Sequence, residues 1–166
     1  DWIAYTFMVE ADYTVDRGRF EFIAAKNNNF DALKMLMYLS KDKSAKDSKG
    51  RNLLYYAISN NNSEMLNYLL RAGISPNGAD SYKNTPLHWA ISSGRSEMAQ
   101  LLVSRGASIT AKNSEGNTAL HLAAMAGDMG TVKALVAKGA SLDTKNYDGW
   151  TPKKAAAKAK NKAIKK

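Results

Sequence analysis

A seven-residue phrase recurs at a fixed step, and this constrains the chain more than any other feature. Asn84-Thr85-Pro86-Leu87-His88-Trp89-Ala90 returns as Asn117-Thr118-Ala119-Leu120-His121-Leu122-Ala123, 33 positions further on. Each phrase is followed four positions later by a glycine, Gly94 or Gly127, and then by an apolar run closing at Gly106-Ala107 or Gly139-Ala140. The same step takes Gly116 back to Lys83 and Gly50, and forward to Gly149. Leu120 maps onto Leu87 and Leu54, and Ala123 onto Ala90, Ala57 and Ala24. A period of this size marks one supersecondary unit per repeat, each burying its apolar face against the next.

Local chemistry supports the register. Thr85 reads as a helix N-cap, its hydroxyl accepting from an orphan backbone N–H of the first turn. Pro86 follows at the first helical position, where no N–H is missed, and Asn52 caps the equivalent helix one unit earlier. Leu54, Leu87 and Leu120, with the alanines three positions on, give the inner face of a short helix. A second helix per unit carries Met65, Leu66, Leu69 and Leu70, then Met98, Leu101 and Leu102, then Val132, Leu135 and Val136. Each stripe stops at a glycine suited to a left-handed helix end. Met35 and Met37 fall on the corresponding first-unit stripe and are expected in the core. Tyr56 and Trp89 are read as packing residues, and Asp47, Asp80 and Asn113 as fixing the turns that open each unit. His88 and His121, with Thr85 and Thr118 three residues before them, read as structural: each imidazole bonds its own helix start.

The step, with the phrase Thr-Pro-Leu-His-x-Ala, resembles the ankyrin-repeat family over nearly everything after residue 13. The resemblance implies an all-α solenoid of stacked helix-turn-helix units joined by hairpin loops, forming a single domain over 1–166. Full repeats fall at 47–79, 80–112 and 113–145, a degenerate one at about 14–46, and a truncated capping repeat at 146–166. Residues 1–13, rich in apolar side chains, are expected to cap the first unit. Two departures stand out. Lys83 replaces the usual turn glycine, so its hairpin is expected to differ. Gly130 replaces the usual second-helix Glu, leaving that helix start less well specified.

The resemblance also implies recognition of a folded protein partner along the concave face and the hairpin tips. The residues carried onto that surface are Lys49, Arg51, Tyr82, Ser92, Ser93 and Lys112, then Glu115, Met125, Lys145, Tyr147, Asp148 and Trp150. Tyr and Trp anchors among small polar groups suit a protein surface. Proteins similar to this one regulate their targets by masking them; for a chain exported from a bacterium, the expected target is another exported protein, for instance a hydrolase.

The formal charge is +9, and Lys153, Lys154, Lys158, Lys160, Lys162, Lys165 and Lys166 supply seven units of it; no acid follows Asp148. The basic patch Lys153, Lys154, Lys158, Lys160 and Lys162 thus belongs to one Ala- and Lys-rich helix from Pro152. It reads as a solvated cap or as a docking patch for an acidic partner, steering association electrostatically. A second reading of the whole chain follows: an electrostatic tether to an acidic protein, membrane or polymer surface. The patch carries neither a base-reading phrase nor an aromatic stacking ladder, so specific nucleic-acid binding is not expected.

No apolar run approaches the roughly 18 residues of a membrane-spanning helix. The chain has no cysteine, which excludes disulfides, thiolate nucleophiles and zinc–thiolate sites. No phosphate loop, nucleophile elbow or His-Glu-x-x-His phrase occurs. The expectation is therefore a non-enzymatic binder, monomeric when free, with no cofactor, metal or small-molecule substrate. The first residue is Asp1, not Met, and cysteine is absent; a periplasmic or secreted bacterial setting is expected over a cytoplasmic one.

Overall fold

The computed structural model describes residues 17–40 and 42–164; side chains are described for 20–40 and 42–160. The expected N-terminal cap at 1–13, and the start of the first repeat, lie outside the described residues. Nine helices are present among the described residues, and no strand. They pair as α1 (Arg17–Lys26) with α2 (Phe30–Leu39), α3 (Leu53–Ser59) with α4 (Ser63–Arg71), and α5 (Pro86–Ser92) with α6 (Ser96–Ser104). Then α7 (Ala119–Ala126) pairs with α8 (Met129–Ala137), and α9 (Pro152–Ile164) closes the order. First helices stack on first helices (α1 on α3, α3 on α5, α5 on α7, α7 on α9), and second helices follow alongside. The chain is an all-α solenoid.

The core is one continuous cluster running through the units. Leu54, Leu87 and Leu120 are buried at the same place in successive first helices, with Ala57, Ala90 and Ala123 one turn on. Small residues there let adjacent helices approach closely, and the leucines fill the space between. Met37, Met65 and Met98 are buried, but Met35 is a correction: it is 55% exposed. Leu33 and Met37 set the inner face of α2 four residues apart, and Met35, two residues from each, points to the opposite side.

Helix starts are set by short polar caps. Asn52 Oδ1 accepts from the Leu54 N–H at 3.1 Å, and Asn62 Oδ1 from that of Met65 at 2.8 Å. The start of α8 is also well specified, contrary to the expectation from Gly130. Asp128 accepts from the Thr131 N–H at 3.0 Å and from the Thr131 and Ser96 hydroxyls, both at 2.6 Å. The weakly capped second helix is instead α6, where Arg95 occupies the N-cap without a side-chain bond.

Candidate partner-binding surface

The hairpins that open the units are built by one device. Asp47 Oδ1 accepts from the Lys49 and Arg51 N–H groups at 2.8 and 2.9 Å. Asp80 does the same for Tyr82 and Asn84, Asn113 for Glu115 and Asn117, and Asn146 for Asp148 and Trp150. A short side-chain oxygen bonding its own backbone two residues on is the reason Asp and Asn favour turns. Successive tips are then joined edge to edge: Ser81 N–H donates to Lys49 O, Ser114 to Tyr82 O and Tyr147 to Glu115 O, at 2.9–3.1 Å. Lys49, Tyr82, Glu115 and Asp148 hold the same position in this line, one per unit, and all four are exposed.

The second side-chain atom of each turn residue goes to different places. Asp47 Oδ2 accepts from Tyr56 Oη at 2.6 Å and Arg51 Nε at 2.8 Å. Burial alone would raise the Asp47 pKa, but the bonds from Tyr56, Arg51 and the turn amides reverse this and hold it at about 2. Asp80 Oδ2 accepts from Trp89 Nε1 at 2.9 Å. In the next two units the residue is an amide reaching backwards. Asn113 Nδ2 donates to Asn84 Oδ1 at 3.1 Å, and Asn146 Nδ2 to Asn117 Oδ1 at 2.9 Å.

Between units runs a second set of bridges. His88 Nδ1 accepts from the Thr85 backbone N–H at 3.2 Å and lies 2.8 Å from Thr85 Oγ1. That leaves the proton on Nε2, which donates to Asn117 O of the next unit at 3.1 Å. His121 repeats this with Thr118 and, at 2.9 Å, with Trp150 O. Burial depresses both imidazole pKa values and keeps the rings neutral. One unit earlier the same position is Tyr55, whose hydroxyl donates to Asn84 O and lies 3.2 Å from Gly78 O. Burial pushes the Tyr55 pKa up, so this bridge keeps its proton. Sequence reasoning gave the histidines their own turn but missed the bond to the following unit. It also missed Tyr55, although the 33-residue step places Tyr55 at the histidine position.

The candidate contact residues divide by exposure. Tyr82 is 69% and Tyr147 67% exposed on the tips. Lys49, Glu115, Asp148 and Lys145 are exposed as well, as are Ser92 and Ser93 at the end of α5 and Met125 near the end of α7. Arg51 is otherwise committed. It is paired with Asp47 at 2.7 Å, donates to Tyr56 Oη at 3.0 Å and stacks over that ring. Lys112 Nζ donates to Lys145 O at 2.8 Å and lies 5.9 Å from the Tyr147 ring centre. Trp150 is half-buried beneath Lys158 of α9. Lys153, Lys154, Lys158 and Lys160 are exposed on α9, and Lys162 lies outside the described side chains.

The hairpin of Lys83 is a correction. Its backbone matches the glycine hairpins: Lys83 has φ 59°, against 75°, 74° and 73° at Gly50, Gly116 and Gly149. Its N–H donates to Asp80 O at 3.0 Å, as Gly50 N–H does to Asp47 O at 2.9 Å. The turn keeps its shape and Lys83 takes the strain of a left-handed residue with a Cβ.

Among the described residues, no cluster of His, Asp or Glu could hold a metal ion, and no helix is long and apolar enough to cross a membrane. An open depression of about 410 Å³ lies on α2, lined by Lys34, Met35, Tyr38 and Leu39.

No curated protein matches this chain. A family model described as ankyrin repeats (3 copies) matches residues 22–113 and 110–166. The matched segments span the hairpins, both bridge types and α9. Ankyrin repeats generally mediate protein–protein interaction. The period, the stacked helix pairs and the match to most of the chain together place it in one group: it belongs to the ankyrin-repeat family.

Proposed function

We propose that the chain binds a folded protein partner along its hairpin tips and the exposed ends of its first helices, without catalysis. The observation that carries this is Lys83 beside Tyr82. A left-handed backbone costs a non-glycine residue roughly 1–2 kcal/mol, and the three equivalent hairpin positions are glycine. Among the described residues Lys83 has no ion-pair partner, while its neighbour Tyr82 is the most exposed aromatic of the tips. Strain held at an exposed residue whose charged side chain has no hydrogen-bond or ion-pair partner among the described residues points to an external role. Tyr82 and Tyr147 serve as anchors, and the uncharged Ser92, Ser93 and Met125 offer an adaptable floor.

Partner masking, and an exported hydrolase as the thing masked, are the finer form of the same proposal. They rest on the family habit and on the cysteine-free composition. The patch of lysines on α9 favours a second reading, in which the chain is tethered to an acidic surface and the repeats act as a spacer.

Lys83→Gly separates function from stability. It should stabilise the fold by roughly 0.5–1 kcal/mol, after allowing for the greater freedom of glycine in the unfolded chain, and weaken partner binding. Unchanged binding by that variant would remove the carrying observation. The two readings part on tagged full-length chain used for capture followed by mass spectrometry. If Tyr82→Ala with Tyr147→Ala abolishes recovery of the partner, the tips bind it. If neutralising Lys153, Lys154, Lys158 and Lys160 to Gln abolishes it instead, and added salt does the same, the tether stands.

A further inference from the structure

The loop after α4 reads Ser75-Pro76-Asn77-Gly78, and Asn77-Gly78 is the single Asn-Gly step in the sequence. Its geometry is more than a turn. Asn77 is exposed, and its Oδ1 accepts from the Ser108 N–H of the next unit at 2.7 Å. Among the described residues the Gly78 N–H donates to no acceptor. Gly78 cannot be replaced freely: a Cβ there would stand 2.7 Å from Asn52 Nδ2, which caps α3 and donates to Ser75 O at 2.9 Å. A peptide nitrogen without side-chain crowding therefore follows an amide whose oxygen already holds a strong donor.

We propose that Asn77-Gly78 is a self-modification site, at which the chain converts the Asn77 amide to a carboxylate without an enzyme. The Gly78 nitrogen gives its proton to hydroxide or water and attacks Asn77 Cγ. Charge then gathers on Oδ1, where the Ser108 N–H stabilises it as a preplaced donor. The bond from Cγ to Nδ2 breaks and the nitrogen leaves as ammonia, taking a proton from water. The resulting five-membered imide is opened by one water at either carbonyl. Opening at one side gives aspartate; opening at the other gives isoaspartate, with an extra methylene in the backbone. No oxidant or reductant takes part.

The two products differ in consequence. Aspartate still offers an oxygen to Ser108, and the chain already carries an acid at the matching place, Asp143, two steps of 33 further on. Asp143 N–H meets Ser141 Oγ at 3.3 Å just as Asn77 N–H meets Ser75 Oγ at 3.2 Å. Isoaspartate lengthens the chain between Pro76 and Gly78. It draws Gly78 off the Asn52 cap and loosens the joint between the second and third units. Asn77 bonds to Ser75 and Ser108, and Gly78 lies against Asn52; none of these is a proposed partner contact, so the site is separable from the proposed partner surface.

The test is peptide mapping of the folded chain held in mildly alkaline buffer at physiological temperature. Trypsin releases Ala72–Lys83, which contains Asn77 and no other asparagine. The expected result is a one-dalton gain in that peptide, split into two chromatographic species, faster as pH rises. Asn77→Gln should show no gain in the peptide, and Asn77→Asp should co-elute with one of the two species. The reference is the free synthetic peptide Ala72–Lys83 under the same conditions. Conversion in the folded chain at or above the peptide's rate supports the assignment. A folded-state rate more than about tenfold below it means that the fold protects the step and overturns the proposal.

Discussion

The hairpins opened by Asp47 and Asp80 and those opened by Asn113 and Asn146 share one shape but are wired in opposite directions. In the first pair the outer carboxylate oxygen accepts from an aromatic donor nine residues on in the same unit, Tyr56 or Trp89. In the second pair the outer atom is an amide nitrogen that donates to the preceding hairpin. The partner residue follows the choice: where the opening residue becomes Asn113, the position nine on becomes Leu122, which offers no donor. Asp and Asn are thus interchangeable for the turn and not for what lies behind it. Acid-type units tie hairpin to helix; amide-type units tie hairpin to hairpin.

The largest effect should be blind to this difference. Leu54→Ala in an acid-type unit and Leu120→Ala in an amide-type unit should each cost about 2–5 kcal/mol in denaturant unfolding, since both leucines sit in the same core. A large gap between the two would place the distinction in the core and not in the hairpins.

Exchanging the wiring comes next. Asn113→Asp sets an acceptor against Asn84 Oδ1 and finds no donor on Leu122, so it should cost about 1–3 kcal/mol. Adding Leu122→Trp, which restores the pairing of Asp80 with Trp89, should recover part of that loss in a double-mutant cycle. Independent, additive effects would break the comparison.

Asp47→Asn keeps the turn acceptor but gives up the bonds from Tyr56 and Arg51. The Asp47 pKa is depressed in the fold, so its contribution is present above the unfolded value and is lost as the pH falls from about 4 toward 2. With partial solvent screening, the substitution should cost about 1–2 kcal/mol at neutral pH. Its effect on midpoint stability should shrink to nothing in strong acid; a constant deficit would show that charge is not involved.

The bridges between units predict a milder acid response. Burial lowers the His88 and His121 pKa values, so the unfolded chain takes up more protons as the pH falls through about 6.5. Stability is full above that pH and declines below it. Hydrogen exchange under mild acid should increase first around Asn117 and Trp150, whose carbonyls the histidines hold, and not around Asn84, held by Tyr55. Uniform loss of protection would refute the local account.

Much of the solenoid was legible because a 33-residue step aligns the apolar positions of all units at once, and an error at one position is corrected by the others. Helix starts at Asn52 and Thr85 were readable from their caps. Met35 was misread because Met37 shares its stretch, and identity without phase does not settle which side of a helix faces inward. Gly130 was misread because the cap lies two residues earlier, on Asp128. The surface was less legible. Arg51 has the composition of a contact residue, but its charge is taken by Asp47, and no pattern in the letters distinguishes a paired arginine from an unpaired one.

The bridges from Tyr55, His88 and His121 all end on a backbone carbonyl of the next unit, never on a side chain. Any residue can provide such an acceptor, so the donor does not depend on its neighbour's identity. A copy of residues 80–112 spliced in after itself would dock on the original through the same His88 bond. This one bond at the joint thus survives the gain or loss of a whole unit, whatever residue the neighbour carries there.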